Sequence, residues 1–167
     1  GDPGLDHWRK ALAELIITDI GQSRYLKVMG SDRLFSILRG ENLLEAKSYS
    51  SDDLKKVADA GAVENILRGS FAKAGNTFRI DAVLENPRTG EILGTNRVEA
   101  QGDEGMFDAV DELTEKLKTD LKLTSEQIAS DIGKKVAQIT TSSPEALKFY
   151  TEGRDYHLRG DYPQSIA

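Results

Sequence analysis

The chain has 167 residues, 38% hydrophobic and 30% charged, which fits one soluble globular domain plus an appendage. Its net charge of -6 argues against nucleic acid, because phosphate binding needs a concentrated Lys/Arg surface. It has no cysteine, which excludes disulfides, thiol nucleophiles and thiolate metal sites, and no apolar run long enough to span a membrane.

Leu5 to Ile20 has helical periodicity through Trp8, Leu12, Leu15 and Ile16, with Asp6 near its start and Gly21 at its end. Trp8 is expected to pack on the body of the domain. Tyr25 to Met29 is a strand candidate. Gly30-Ser31-Asp32 makes a turn into a short helix ending near Leu38, with Gly40 as its stop. Ser51-Asp52-Asp53 opens a further helix through Asp59.

Three strands follow. Val63 to Phe71 is the first, and Ala74-Gly75-Asn76 marks a hairpin. Phe78 to Leu84 alternates apolar Phe78, Ile80, Ala82 and Leu84 with Arg79, Asp81 and Val83. Asn86-Pro87-Arg88-Thr89-Gly90 is a turn in which proline presets φ and glycine accepts positive φ. Glu91 to Ala100 is the third strand, and two tight turns in succession make an antiparallel meander. Asp81, Glu85, Glu91 and Glu99 are interleaved with Arg68, Arg79, Arg88 and Arg97, so cross-strand ion pairs are expected.

Asp103 to Leu121 is a long helix with an apolar stripe of Phe107, Val110, Leu113, Leu117 and Leu121. Lys116, Lys118 and Lys122 read as its solvated side. Thr124-Ser125-Glu126 resembles a helix cap. Lys134 to Thr141 reads as an extended connector, and Ser143-Pro144-Glu145 as a helix start with proline in the first turn.

A constellation of convergent catalytic groups is not evident. The two histidines, His7 and His157, lie at opposite ends of the chain. There is no Gly-x-Ser-x-Gly elbow, dinucleotide fingerprint or phosphate-binding loop. No enzyme activity, metal or cofactor is expected. Gly30, Ser31, Asp32 and Arg33 are a candidate anion site, since a helix start offers backbone amides; the alternative is a plain capped turn.

Phe149, Gly153, Tyr156, Gly160, Tyr162 and Ser165 have the spacing of the first helix, turn and second-helix start of a repeat. This resembles a tetratricopeptide unit, which needs stacked neighbours to bury its apolar face. It makes Phe149, Tyr156 and Tyr162 candidate partner-binding residues. Gly1-Asp2-Pro3-Gly4-Leu5-Asp6, Leu26-Lys27-Val28-Met29-Gly30-Ser31, Gly61 to Ser70, Phe78 to Leu84 and Arg88-Thr89-Gly90-Glu91-Ile92-Leu93 occur in a familiar order. They resemble the amino-terminal domain of the periplasmic protein TolB, with a related look in the CsgG and FlgO families. Within this resemblance Gly69 is expected to permit a close approach, and Gly94 stands where relatives often have Trp. Relatives carry an apolar strand before their Gly-Asp-Pro segment; without it the sheet is expected to have an open edge, a template for another chain.

The resemblance implies an α/β domain over 1–122, a linker over 123–142 and the start of a helical repeat over 143–167. Its mixed sheet would be built from 24–29, 63–71, 77–85 and 91–100, covered by helices over 5–20, 31–38, 52–59 and 104–121. The function it implies is a non-catalytic protein-interaction or sensor module of a larger bacterial envelope or signalling protein, on the periplasmic side, with the repeat as scaffold. A small-anion sensor and a self-assembling component of an envelope secretion complex, a homo-oligomer through the open edge, are the alternatives.

Overall fold

The computed structural model describes residues 5–131 and 133–159. The order is α1 (Asp6–Ile20), α2 (Ser31–Gly40), α3 (Ser51–Gly61), β1 (Ile66–Ala74), β2 (Thr77–Asn86), β3 (Glu91–Gln101), α4 (Gly105–Asp120), α5 (Ser125–Ser130), α6 (Val136–Ile139) and α7 (Pro144–Arg159). This is an α/β fold with one antiparallel three-stranded sheet, β1-β2-β3, flanked by helices.

The meander forms where the turn chemistry places it. Gly75 and Gly90 both have positive φ, +60° and +76°, where a side chain would be strained. Asn86 tightens the second turn by accepting from the Arg88 amide at 3.0 Å, while the Gly90 amide donates to Asn86 O at 2.8 Å. Register runs Phe71↔Ile80 and Ile80↔Val98, with a bulge at Leu84/Glu85. Gly69 does not mediate a close approach: a Cβ there would lie 3.6 Å from Asp81 O, an ordinary contact.

β2 buries Phe78, Ile80, Ala82 and Leu84 on one face. α4 lays Phe107, Val110, Leu113 and Leu117 against this face and β3, with Leu121 half-buried at the end of the stripe. Each such side chain contributes roughly 1.5–3 kcal/mol before chain entropy is subtracted. α1 closes the core with Ala11, Leu12, Leu15 and Trp8, whose ring meets Phe78 and Phe107 edge-on at 6.1 and 6.5 Å.

The sheet differs from the four-stranded mixed sheet expected from the sequence. Residues 24–29 are not a strand. Residues 26–30 are irregular, without a ladder partner, and the flanking polar groups are satisfied elsewhere. The Arg24 amide donates to Asp131 Oδ1 at 3.1 Å, the Tyr25 amide to Ser23 Oγ at 3.1 Å, and Tyr25 Oη shares a hydrogen bond with Ser130 Oγ at 3.0 Å. A run of β-forming residues becomes a strand only beside another strand.

Two further expectations change. The segment 134–141 is not extended throughout: Val136–Ile139 forms a helical turn, and Val136 is fully buried against α4. Lys118 is not solvated. It is 5% exposed, and its Nζ lies 3.3 Å from Asp131 Oδ2, because α5 and the chain after it fold back over the polar side of α4. Lys116 keeps its expected place, pairing with Glu112 at 2.8 Å.

α2 and α3 pack on each other beside this core. α3 starts with a capping box, in which Ser50 Oγ accepts from the Asp53 amide at 3.2 Å and Asp53 Oδ2 accepts from the Ser50 amide at 2.9 Å. Leu54, Val57 and Ala58 are buried, but no residue of α2 is. Among the described residues no helix is long and apolar enough to cross a membrane.

Candidate functional site

Neither outer border of the sheet has a ladder partner among the described residues, but helix α4 reaches only one of them. β3 is engaged by α4: Lys116 Nζ donates to Arg97 O at 3.0 Å, and Asn96 Nδ2 donates to Asp120 Oδ2 at 2.6 Å. Gly94 is the reason Asp120 fits, since a Cβ there would come within 2.0 Å of its carboxylate. The glycine is filled over by Asp120, which gives it a packing role. The outer border of β1 has no ladder partner among the described residues. The apolar side chains around it are incompletely covered. Leu67 and Phe71 of β1 are only half-buried against the core.

Charge distinguishes this border further. β1 carries Arg68 and Lys73 and no carboxylate. Of the meander arginines, Arg68 pairs across strands with Glu85, and Arg97 meets Asp81 at 2.6 Å with Arg79 beside it at 3.0 Å. The two arginines hold the Asp81 carboxyl below the usual carboxylate range, Arg97 foremost. Arg88 leaves the sheet to bind Asp59 of α3 at 2.8 Å and the carbonyl of Val63 at 2.8 Å.

At the start of α2, Gly30 is the N-cap and no side chain caps the helix. Ser31 and Asp32 are met by the guanidinium of Arg154 from α7, which donates to Ser31 Oγ at 3.1 Å and to Asp32 Oδ1. Arg33 points elsewhere and donates to Ala60 O at 3.2 Å. The helix start therefore carries a cation that its own sequence does not contain, already occupied by a carboxylate.

Phe149 and Tyr156 lie on the outward side of α7, 63% and 41% exposed, beside Tyr150 at 58%. Tyr162, with Gly160 and Ser165, lies outside the described residues, as does the Gly1 to Gly4 segment. α7 begins at Pro144 as expected, with Ser143 Oγ accepting from the Ala146 amide at 3.2 Å.

A groove of about 820 Å³ runs between the β1–β2 turn and the start of α7. Its lining sets Lys73 and Lys148 against Asp103, Glu104 and Glu145, with His7 and Ser143 among them. No group of three or more metal-ligating side chains occurs among the described residues.

A partly buried polar cluster, not evident from sequence, ties Asp131, Lys134 and Val136 to α4, the end of α1 and the residues just after it. Thr114 Oγ1 donates to Asp19 Oδ2, and Gln22 Nε2 donates to Asp19 Oδ1 at 3.0 Å. Gln22 also pairs twice with the backbone of Lys134, its Nε2 donating to the carbonyl and its Oε1 accepting from the amide, both at 2.9 Å. The Val136 amide donates to Asp111 Oδ1 at 2.9 Å. Burial pushes the Asp19 and Asp111 carboxyls up. Burial acts the same way on Asp131, but hydrogen bonds from Ser23, the Arg24 amide and Lys118 outweigh it and hold that carboxyl low.

No family model matches this chain, and no solved structure gives a match. A protein described as putative adenylate cyclase 3, from Rhizobium meliloti (strain 1021), is 32% identical over 123 residues, covering 74% of this chain and 19% of the relative. The chain spans about a fifth of the length of that curated relative.

Proposed function

We propose that this chain is a non-catalytic protein-interaction and sensor module of a larger bacterial envelope or signalling protein, acting on the periplasmic side, with α7 as the first helix of a tetratricopeptide scaffold. The observation that carries the reading is the outer border of β1, which has no ladder partner among the described residues, carries no carboxylate and leaves Leu67 and Phe71 half-covered. Strand addition to such a border draws affinity from main-chain hydrogen bonds and specificity from alternate side chains. The fitting partner is an extended protein segment that alternates apolar and acidic residues, matching half-covered Leu67 and Phe71 and the ammonium of Lys73. Likeness to one stretch of a much longer putative cyclase supports a module within a larger protein.

The test is binding of a labelled peptide that alternates valine and glutamate, against the same peptide with lysine for glutamate. The acidic peptide should bind and slow amide exchange along β1, and the basic one should not. Equal binding of both, or unchanged exchange in β1, overturns the reading. A concentration-dependent doubling of mass in light scattering, with β1 protected, would replace the partner with a second copy of the chain. Formation of a cyclic nucleotide from ATP by this chain alone would overturn the non-catalytic assignment.

A further inference from the structure

The two ends of α7 are held by different physics. Leu147 and Thr151 are each 3% exposed, and Leu147 belongs to the main core. From Arg154 onward the seat is ionic and reaches three separate parts of the chain. Lys10 of α1 meets Asp155 at 2.9 Å, and Glu14 of α1 lies 3.7 Å from Arg154. Arg154 also binds Ser31 and Asp32 of α2. Arg159 binds Glu45 at 2.7 Å and its own Asp155 at 3.0 Å, while Arg39 of α2 donates to Leu158 O. Glu45 and Asp155 hold the Arg159 guanidinium above its usual pKa, Glu45 foremost.

α2 depends on these contacts more than a helix normally would. It buries none of its own residues fully. Its neighbour α3 is joined to the sheet by Arg88, in an exposed pair with Asp59. The geometry points to α7 as a releasable strap: anchored in the core at Leu147, it clamps α2 onto α1 through charge, and weakening that charge frees its second half and α2 together. The position of α2 is thereby coupled to the carboxyl end of α7. This device is independent of what binds β1.

The pairs to Asp32 and Glu45, whose side chains are 70% and 74% exposed, are weak and screened by salt; those to Glu14 and Asp155 are partly buried and screened less, and the anchor at Leu147 is not screened. The test is amide exchange of the whole chain at low and high sodium chloride, in the wild type, Arg154→Gln and Asp155→Asn. In the wild type, salt should speed exchange in 152–159 and in α2 by about tenfold, the sum expected of several such pairs. β2 and α4 should not respond. Arg154→Gln should exchange fast in both segments already at low salt, and Asp155→Asn should do so to a lesser degree. Unchanged β2 and α4 protection shows that the variants are folded. Salt-insensitive exchange in 152–159, or a response of α7 without α2, overturns the proposal.

Discussion

The half of the molecule built from α1, β2, β3 and α4 and the half containing β1, α2 and the second part of α7 obey different rules. The first is a continuous apolar core in which Ala11, Phe78, Met106, Val110 and Leu113 are completely enclosed. The second keeps Leu26, Leu67 and Phe71 half-covered and relies on Arg154 and Arg159 to hold α2 and the end of α7 in place. Close packing resists change of shape, while exposed ion pairs yield to salt and competitors. Stability is concentrated in one half, and adaptability is left to the other.

Substitutions test this contrast most sharply where the first half contains charge. Lys118→Ala should cost about 3–5 kcal/mol, because it leaves the Asp131 carboxylate buried without its counter-ion. Chemical denaturation checks this, and a loss comparable to that of Lys116→Ala would mean that Lys118 is solvated after all. Leu117→Ala should cost roughly 2–5 kcal/mol, through lost burial and the cavity left behind; an unchanged melting temperature would remove α4 from the core.

A smaller effect is expected from pH. Asp19 is raised above the usual 3.8 by burial, with Asp111 adding to it, while Thr114, Lys118 and Gln22 pull the other way. The native state therefore holds this proton to higher pH than the unfolded chain does. Its contribution to stability is greatest below 3.8, falls as pH rises through the raised folded value, and stays lower above it. Asp19→Asn should remove that decline, seen as a flatter dependence of the urea midpoint on pH. Asp131 works in the opposite sense, losing its contribution as pH falls through its lowered value. The smallest effect belongs to the outward side of α7: Phe149→Ser should shift stability by no more than about 0.5 kcal/mol, and a larger loss would reveal packing on that face.

The same division explains what could be read from the sequence. The meander and α4 were legible because alternation, helical period and the glycines at 75 and 90 all point one way. Trp8 was placed in the core for the same reason. Lys118 departs from expectation because a cation on the polar side of a helix is ordinarily solvated, and nothing in its neighbours announces that Asp131 folds over it. Tyr25 to Met29 carries strand-forming residues, but a ladder requires a neighbour that local pattern does not supply. Val136 to Ile139 was too short for its period to be decided. At the candidate anion site, Gly30 to Arg33 were recognisable as a helix start, yet the guanidinium beside them belongs to Arg154, from a distant part of the chain.

Gln22 makes the clasp on 131–136 unusual in what it demands of the sequence. Its amide reads the carbonyl and amide of residue 134 and never that residue's side chain. Position 134 is therefore free to drift among residues that keep the backbone, whereas position 22 is confined to a group with a donor and an acceptor on one planar unit. Glutamate, nearly identical in shape, lacks the donor and would set a carboxylate against a carbonyl. The tolerance of the connector to mutation is thus decided more than a hundred residues away from it.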